Sequence, residues 1–159
     1  VQLLGMVIES ASGLKADVAF RKYLFEKLGM DSTSLVSDAA GKDIVFGGAR
    51  TTIRDAAKIG QLMMQNGNYN GEQIVSEAWV NASLSPGKHA SYYGYLWWID
   101  NVSPNRNYAA TGDGGQLTII FPDLDLLFLR QQSCFPSGGH QMPWMGPYFL
   151  SLIADIVTE

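Results

Sequence analysis

The stretch Ala110-Thr111-Gly112-Asp113-Gly114-Gly115-Gln116 runs straight into the apolar residues Leu117-Thr118-Ile119-Ile120-Phe121 and the turn Pro122-Asp123-Leu124-Asp125. Small residues and glycines just ahead of a β-strand let backbone N–H groups come close to a bound carbonyl, which is how an oxyanion hole is built. The same glycine pair also suits a plain tight turn in a structural hairpin. A phosphate loop is excluded, because the Lys-Ser or Lys-Thr it needs is lacking and a strand rather than a helix follows.

Leu126 to Arg130 reads as the strand after the Asp-containing turn, with Tyr108 to Thr111 and Tyr92 to Ile99 as further antiparallel strands upstream. Pro147 precedes Phe149, Leu150, Leu152, Ile153, Ile156 and Val157, whose spacing predicts a closing amphipathic helix lying across the sheet. Toward the start, Val1, Leu4, Val7 and Ile8 recur at helical spacing up to Ser12-Gly13. A second helix is predicted from Asp17 to Leu28, with Gly29 as a left-handed stop. Residues 31 to 52 read as a long loop ending in Gly47-Gly48, after which Thr51 or Thr52 caps a helix through Ala56, Ile59, Leu62 and Met64. Asn66 to Gly71 ends that helix in a turn, and Ser76 starts a short helix that holds Trp79 and stops before Pro86-Gly87.

These elements predict an α+β fold: an antiparallel β-sheet with a C-terminal helix and a preceding mostly helical region. Residues 1–159 are expected to form a single partial domain, helical over 1–87 and built of strands plus the last helix over 88–159. With 159 residues, 47% hydrophobic and 16% charged, the chain can bury a real core. Its net charge is −4 and its Lys and Arg residues are scattered, so nucleic acid is not an expected partner. Apolar segments near both ends are interrupted well before the ~18 residues that suggest a membrane span, and none is expected.

The lone Cys134 rules out an internal disulfide and a cysteine-rich metal site. His89 and His140 have no carboxylates spaced to complete a metal set, so neither metal nor organic cofactor is implied; both read as surface or loop residues, with His140 of Ser137-Gly138-Gly139-His140 a candidate for a pocket rim. Trp97 and Trp98 read as core and pocket wall. Localisation stays open, since Val1 already lies inside an apolar helical pattern.

Several local words, taken in order, resemble one family. They are Leu3-Leu4-Gly5 with Ser12-Gly13, then Leu28-Gly29-Met30-Asp31-Ser32-Thr33, then Gly47-Gly48-Ala49-Arg50-Thr51-Thr52-Ile53-Arg54-Asp55-Ala56-Ala57-Lys58-Ile59-Gly60-Gln61-Leu62, then Asn70-Gly71-Glu72-Gln73-Ile74-Val75-Ser76-Glu77-Ala78-Trp79-Val80, then Tyr93-Gly94-Tyr95-Leu96-Trp97-Trp98. The sequence is similar to the penicillin-recognising serine hydrolases, and within them to the class C β-lactamase-like esterases and amidases. The resemblance implies a partial β-lactamase/transpeptidase-like fold.

Such enzymes use a Ser-x-x-Lys nucleophile, a Tyr or Ser proton-transfer group, and a strand carrying Lys-Thr-Gly or a His-x-Gly variant. Ala110-Thr111-Gly112 is similar to the third motif, with Ala110 in place of its basic residue. The resemblance therefore supports a backbone role: Gly112 and the Asp113 amide would hold the developing oxyanion. Ala110 and Thr111 would line the substrate pocket, Gly114 and Gly115 would permit close approach, and Gln116 would support the strand end. Tyr95 is a candidate substrate contact or a sheet residue with its hydroxyl at the surface. The Asp113 carboxylate is expected to point away from the pocket by strand alternation, the alternatives being protonation or contact with the leaving group.

Two Ser-x-x-Lys strings occur, and neither suits a nucleophile. Ser12-Gly13-Leu14-Lys15 falls where a helix is ending, and Ser85-Pro86-Gly87-Lys88 holds a turn-forming Pro-Gly pair. The chain is thus expected to be the C-terminal part of a serine hydrolase that acts through an acyl-serine on an ester, amide or β-lactam carbonyl. Its partner would be the missing N-terminal segment of the same protein. Alone it is expected to hydrolyse nothing and to self-associate through an unpaired sheet edge. Two alternatives are a non-catalytic binding protein on a hydrolase-like fold and an unrelated structural module.

Overall fold

A computed structural model of the chain describes residues 1–101, 103–132 and 147–158. They fall into two compact units, Val1–Ile59 and Gly60–Glu159.

The first unit opens with helix α1 (Gln2–Ser12), whose buried Gly5 meets Val45 of the loop that follows. Helix α2 (Ala16–Phe20) continues into one wide π-helical turn over Arg21–Phe25 and ends at Gly29, which takes the left-handed conformation at φ 62°. The single regular helix expected over this span is corrected to that extent; the π turn follows from the Glu26 amide reaching back to the Arg21 carbonyl at 3.0 Å. Ala16, Ala19, Phe25, Leu28 and Met30 are its buried apolar residues.

The loop of residues 31–52 has little regular structure, and carboxylates and amides hold it in place. Asp17 Oδ1 accepts from the Leu35 amide at 2.8 Å, and Asp43 Oδ2 accepts from the Asp17 amide at 2.8 Å. Gln2 donates to the Asp43 carbonyl and accepts from the Val45 amide. The loop leads to helix α3 (Ile53–Met64), where the Asp55 amide donates to Thr52 Oγ1 at 3.1 Å, so of the two candidate caps Thr52 acts.

The second unit contains the small hairpin β1 (Asn68–Tyr69) and β2 (Glu72–Gln73), then helix α4 (Glu77–Ser83), capped by Ser76 Oγ on the Trp79 amide. A four-stranded antiparallel sheet follows, in the order β3 (Trp98–Asp100), β4 (Asn107–Gly112), β5 (Gln116–Phe121) and β6 (Leu126–Arg130). Helix α5 (Pro147–Thr158) closes the unit.

Cross-strand partners share a face, which sorts the sheet into two layers. Ala109, Leu117, Ile119 and Phe121 pack with Leu150 and Ile153 of α5. On the other face, Ile99, Tyr108 and Ile120 pack with Trp97 and with Met63 and Met64 from the end of α3. The α+β architecture expected from the sequence is therefore the observed one, with α5 across the sheet.

The strand expected over Tyr92–Ile99 is corrected: only Trp98–Asp100 is a strand. The preceding backbone spends its hydrogen bonds elsewhere, the Tyr95 amide on the Ser83 carbonyl at the end of α4 and the Gly94 amide on the Trp97 carbonyl. Leu96 sits at φ 66°, a conformation that no continuous strand contains. No helix among the described residues is long and apolar enough to cross a membrane.

Candidate active site

The glycine-rich stretch Ala110–Gln116 forms the β4–β5 hairpin. Gly112 is still extended, at φ −118° and ψ 159°, and pairs with Gln116 as the last rung. Between them Asp113–Gly115 makes one tight helical turn, closed by positive φ at Gly114 (72°) and Gly115 (82°), which L side chains rarely adopt. A Cβ on Gly112 would stand 3.0 Å from Gln116 Cβ, so the rung is tight as well.

Each end of the turn is tied down. Arg130 Nη1 donates to the Gly115 carbonyl at 2.7 Å, and Gln116 exchanges two hydrogen bonds with the Gln132 backbone, at 2.7 and 3.1 Å. The exposed Asp113 folds its carboxylate onto its own turn, Oδ1 accepting from the Gly114 amide at 3.0 Å. Thr111 Oγ1 accepts from Trp98 Nε1 at 3.0 Å.

The neighbouring strand stops short of this end. β3 pairs with Asn107, Tyr108 and Ala109 only, so among the described residues no strand pairs with that flank of β4 at Ala110–Gly112. The Ile99 amide donates away from β4, to the Tyr92 carbonyl at 2.8 Å, which makes Trp98 and Asp100 the β3 residues that bond to β4. In an antiparallel ladder this direction alternates, so the backbone of Ala109 faces β3 and that of Thr111, two residues on, faces the flank beyond the end of β3.

The structure thus brings Ala110, Thr111, Gly112, Asp113, Gly114, Gly115 and Gln116 together in one hairpin. Tyr95 is placed with α4 instead: its ring lies 5.4 Å from that of Trp79, and it is 55% exposed. Trp97 and Trp98 divide, the first buried in the core and the second 40% exposed beside Thr111. Alternation of neighbouring residues in a strand was the available signal for that split. Arg130 was also missed; it becomes visible only through its register opposite Leu117.

Both Ser-x-x-Lys serines are helix-end residues. Ser12 Oγ donates to the Ile8 carbonyl and Ser85 Oγ to the Asn81 carbonyl, each at 2.6 Å. His89 is exposed, while Cys134 and His140 lie outside the described residues. A separate cavity of about 370 Å³ lies toward the other end of the strands, with Met63, Asn81, Leu84, Arg106, Tyr108 and Ile120 among its lining residues.

A four-stranded antiparallel sheet flanked by α5 on one face and the end of α3 on the other, with a glycine hairpin ending its second strand, is an arrangement with known counterparts. The profile of the Beta-lactamase family matches residues 1–137, and the chain belongs to that family. It is 26% identical over 145 residues to the 6-aminohexanoate-dimer hydrolase of Paenarthrobacter ureafaciens, covering 82% of this chain and 37% of that protein.

A solved structure from Bacillus anthracis, assigned as a 6-aminohexanoate-dimer hydrolase, is similar with a TM-score of 0.69 and 26% identity over 80% of this chain and 35% of its own. Another from Bacteroides dorei, assigned as a β-lactamase, has a TM-score of 0.72 over 98% of this chain and 55% of its own, and at 18% identity it shows the fold alone. The chain therefore spans about a third to a half of the length of the relatives it matches. The family expected from the order of local words is the one the comparisons show.

Proposed function

We propose that this chain supplies the oxyanion side of a serine-hydrolase site whose nucleophile lies on polypeptide outside residues 1–159. The flank of β4 at Ala110–Gly112, which lies beyond the end of β3, carries the reading. Thr111 faces that flank, and alternation through the extended Gly112 directs the Asp113 amide to the same side.

In the reaction, a serine Oγ attacks the carbonyl carbon of an ester, amide or β-lactam and its proton passes to a neighbouring base. The C=O electron pair moves onto oxygen, where the Asp113 N–H and the serine's own N–H hold the negative charge. Collapse expels the leaving group, which takes up the proton, and water then releases the acid and restores the serine. Gly114 and Gly115 keep side chains out of the approach, Ala110 and Thr111 border the substrate, and Gln116 secures the start of β5. The relative named for a 6-aminohexanoate dimer makes such a dimer one candidate substrate.

Ala110 in place of a basic residue, and the acidic Asp113, favour a second reading: a binding protein on the same fold that performs no acyl transfer. One experiment separates the two. In the complete polypeptide, a chromogenic ester or β-lactam should leave an acyl adduct on a serine outside this chain, detected by mass spectrometry, whereas residues 1–159 alone should show no burst. Asp113→Pro removes the amide donor and should lower kcat by roughly 10²–10³. Absence of any adduct favours the binding protein, and unchanged kcat in Asp113→Pro overturns the oxyanion assignment.

A further inference from the structure

The oxyanion reading gives no task to the aromatic residues beside the hairpin. Trp98 is 40% exposed and Tyr92 59% exposed, with their rings stacked at 5.9 Å and 17°. Tyr93 meets Trp98 edge-on, at 5.0 Å and 74°. Large aromatic rings gathered on one exposed spot mark a binding surface, unlike single apolar residues scattered over a protein.

Trp98 is also held in one place. Its backbone pairs with Ala109, yet its indole N–H reaches Thr111, two residues and about 7 Å further along β4. The ring therefore lies along the part of β4 that β3 leaves uncovered. An indole has a single donor and no acceptor, so once that N–H is given to Thr111 the rest of the ring offers only an apolar face.

The geometry points to Trp98, backed by Tyr92 and Tyr93, as a fixed apolar wall that selects substrates with a linear alkyl or aromatic group beside the scissile carbonyl. This rests on the oxyanion reading for where the carbonyl sits. The wall is preorganised, so a ligand gains its contact without ordering a mobile side chain. Trp98 is a specificity residue that touches the flanking group of the substrate; the reacting atoms belong to the hairpin.

The test is a titration of the 159-residue chain, labelled with ¹⁵N, using acetamide and N-hexylacetamide as probes. Both should shift the Asp113 amide resonance, and only N-hexylacetamide should shift the Trp98 indole resonance. N-hexylacetamide should bind about tenfold more tightly, as burial of a few methylenes against the ring requires. Trp98→Ala should bring the two probes to equal affinity, Trp98→Phe should keep most of the preference, and Tyr92→Ala should reduce it about threefold without unfolding a chain in which that ring is largely exposed.

Equal affinity of the two probes for the unaltered chain overturns the wall, as does a preference that survives both Trp98→Ala and Tyr92→Ala. A preference that vanishes in Trp98→Ala while the Asp113 amide never moves supports the wall and sinks the oxyanion assignment instead. An Asp113 amide that responds to both probes with no alkyl preference does the reverse.

Discussion

At Asp55 a carboxylate only 6% exposed gathers the Ser32 amide at 3.0 Å, the Thr33 hydroxyl at 3.0 Å and the Lys58 ammonium at 3.1 Å. Lys58 donates in addition to the Gly29 carbonyl. Burial by itself raises the Asp55 pKa, but hydrogen bonds from Lys58, Thr33 and Ser32, with the Lys58 charge, hold it below its ordinary 3.8. At Asp43 the backbone hydrogen bond from Asp17 is the largest influence; it outweighs burial, is joined by Ser37 and by the charges of Lys15 and Lys42, and lowers that pKa too.

A folded pKa below the unfolded one means stability that is fully present above the unfolded value and is lost as pH falls through the folded one. Acid unfolding should therefore set in as the pH drops below the ordinary 3.8 of these groups, and Asp55→Asn should flatten that pH dependence in circular-dichroism titrations. At neutral pH, Asp55→Ala leaves two donors and a cation without their acceptor and should cost about 2–3 kcal/mol by urea denaturation. None of this was legible beforehand. Thr51 and Thr52 could be read as caps, but the partners of Asp55 at Ser32 and Thr33 come from a loop with no periodicity to place it.

Among the elements, those with a long apolar period were legible. Helices α1, α3, α4 and α5 fall close to where spacing and caps put them, and β4, β5 and β6 follow from their apolar runs and the Pro122–Asp125 turn. The segment between α4 and β3 was not, since its aromatic, apolar composition is that of a strand while its backbone is bound to the end of a helix. Close approach at Gly94 decides the matter: a Cβ there would stand 2.1 Å from the Ser83 carbonyl oxygen. Backbone cannot give way as a side-chain tip does, so Gly94→Ala should destabilise by roughly 1–3 kcal/mol. It should also disturb the environment of Trp97 and Trp98, which near-ultraviolet circular dichroism would report.

In the candidate site the hairpin was legible because glycines announce positive φ, and the Trp98–Thr111 bond was not, because it depends on where β3 stops. A one-residue change of register would have turned that ring to the opposite face.

For the molecule as a whole, the order of local words carried more than any single motif. Each word has a local cause, such as the turn after α2 or the cap of α3, and several such causes in one order seldom coincide outside a family. The sheet ends at β6, whose outer side pairs with no strand among the described residues, and Leu126, Leu127, Phe128 and Leu129 make it an apolar edge. Such an edge is a template for another strand. The 159-residue chain should therefore scatter light as a species larger than a monomer, and Leu129→Lys should shift it toward the monomer; a monodisperse unaltered monomer would contradict this.

The guanidinium of Arg130 on the Gly115 carbonyl joins that outermost strand to the glycine turn. Any polypeptide that zips onto the border would steady the loop tip through this one strut, so the last rank of the sheet works as a clamp on the tip where, under the proposed function, a substrate's oxygen would be caught.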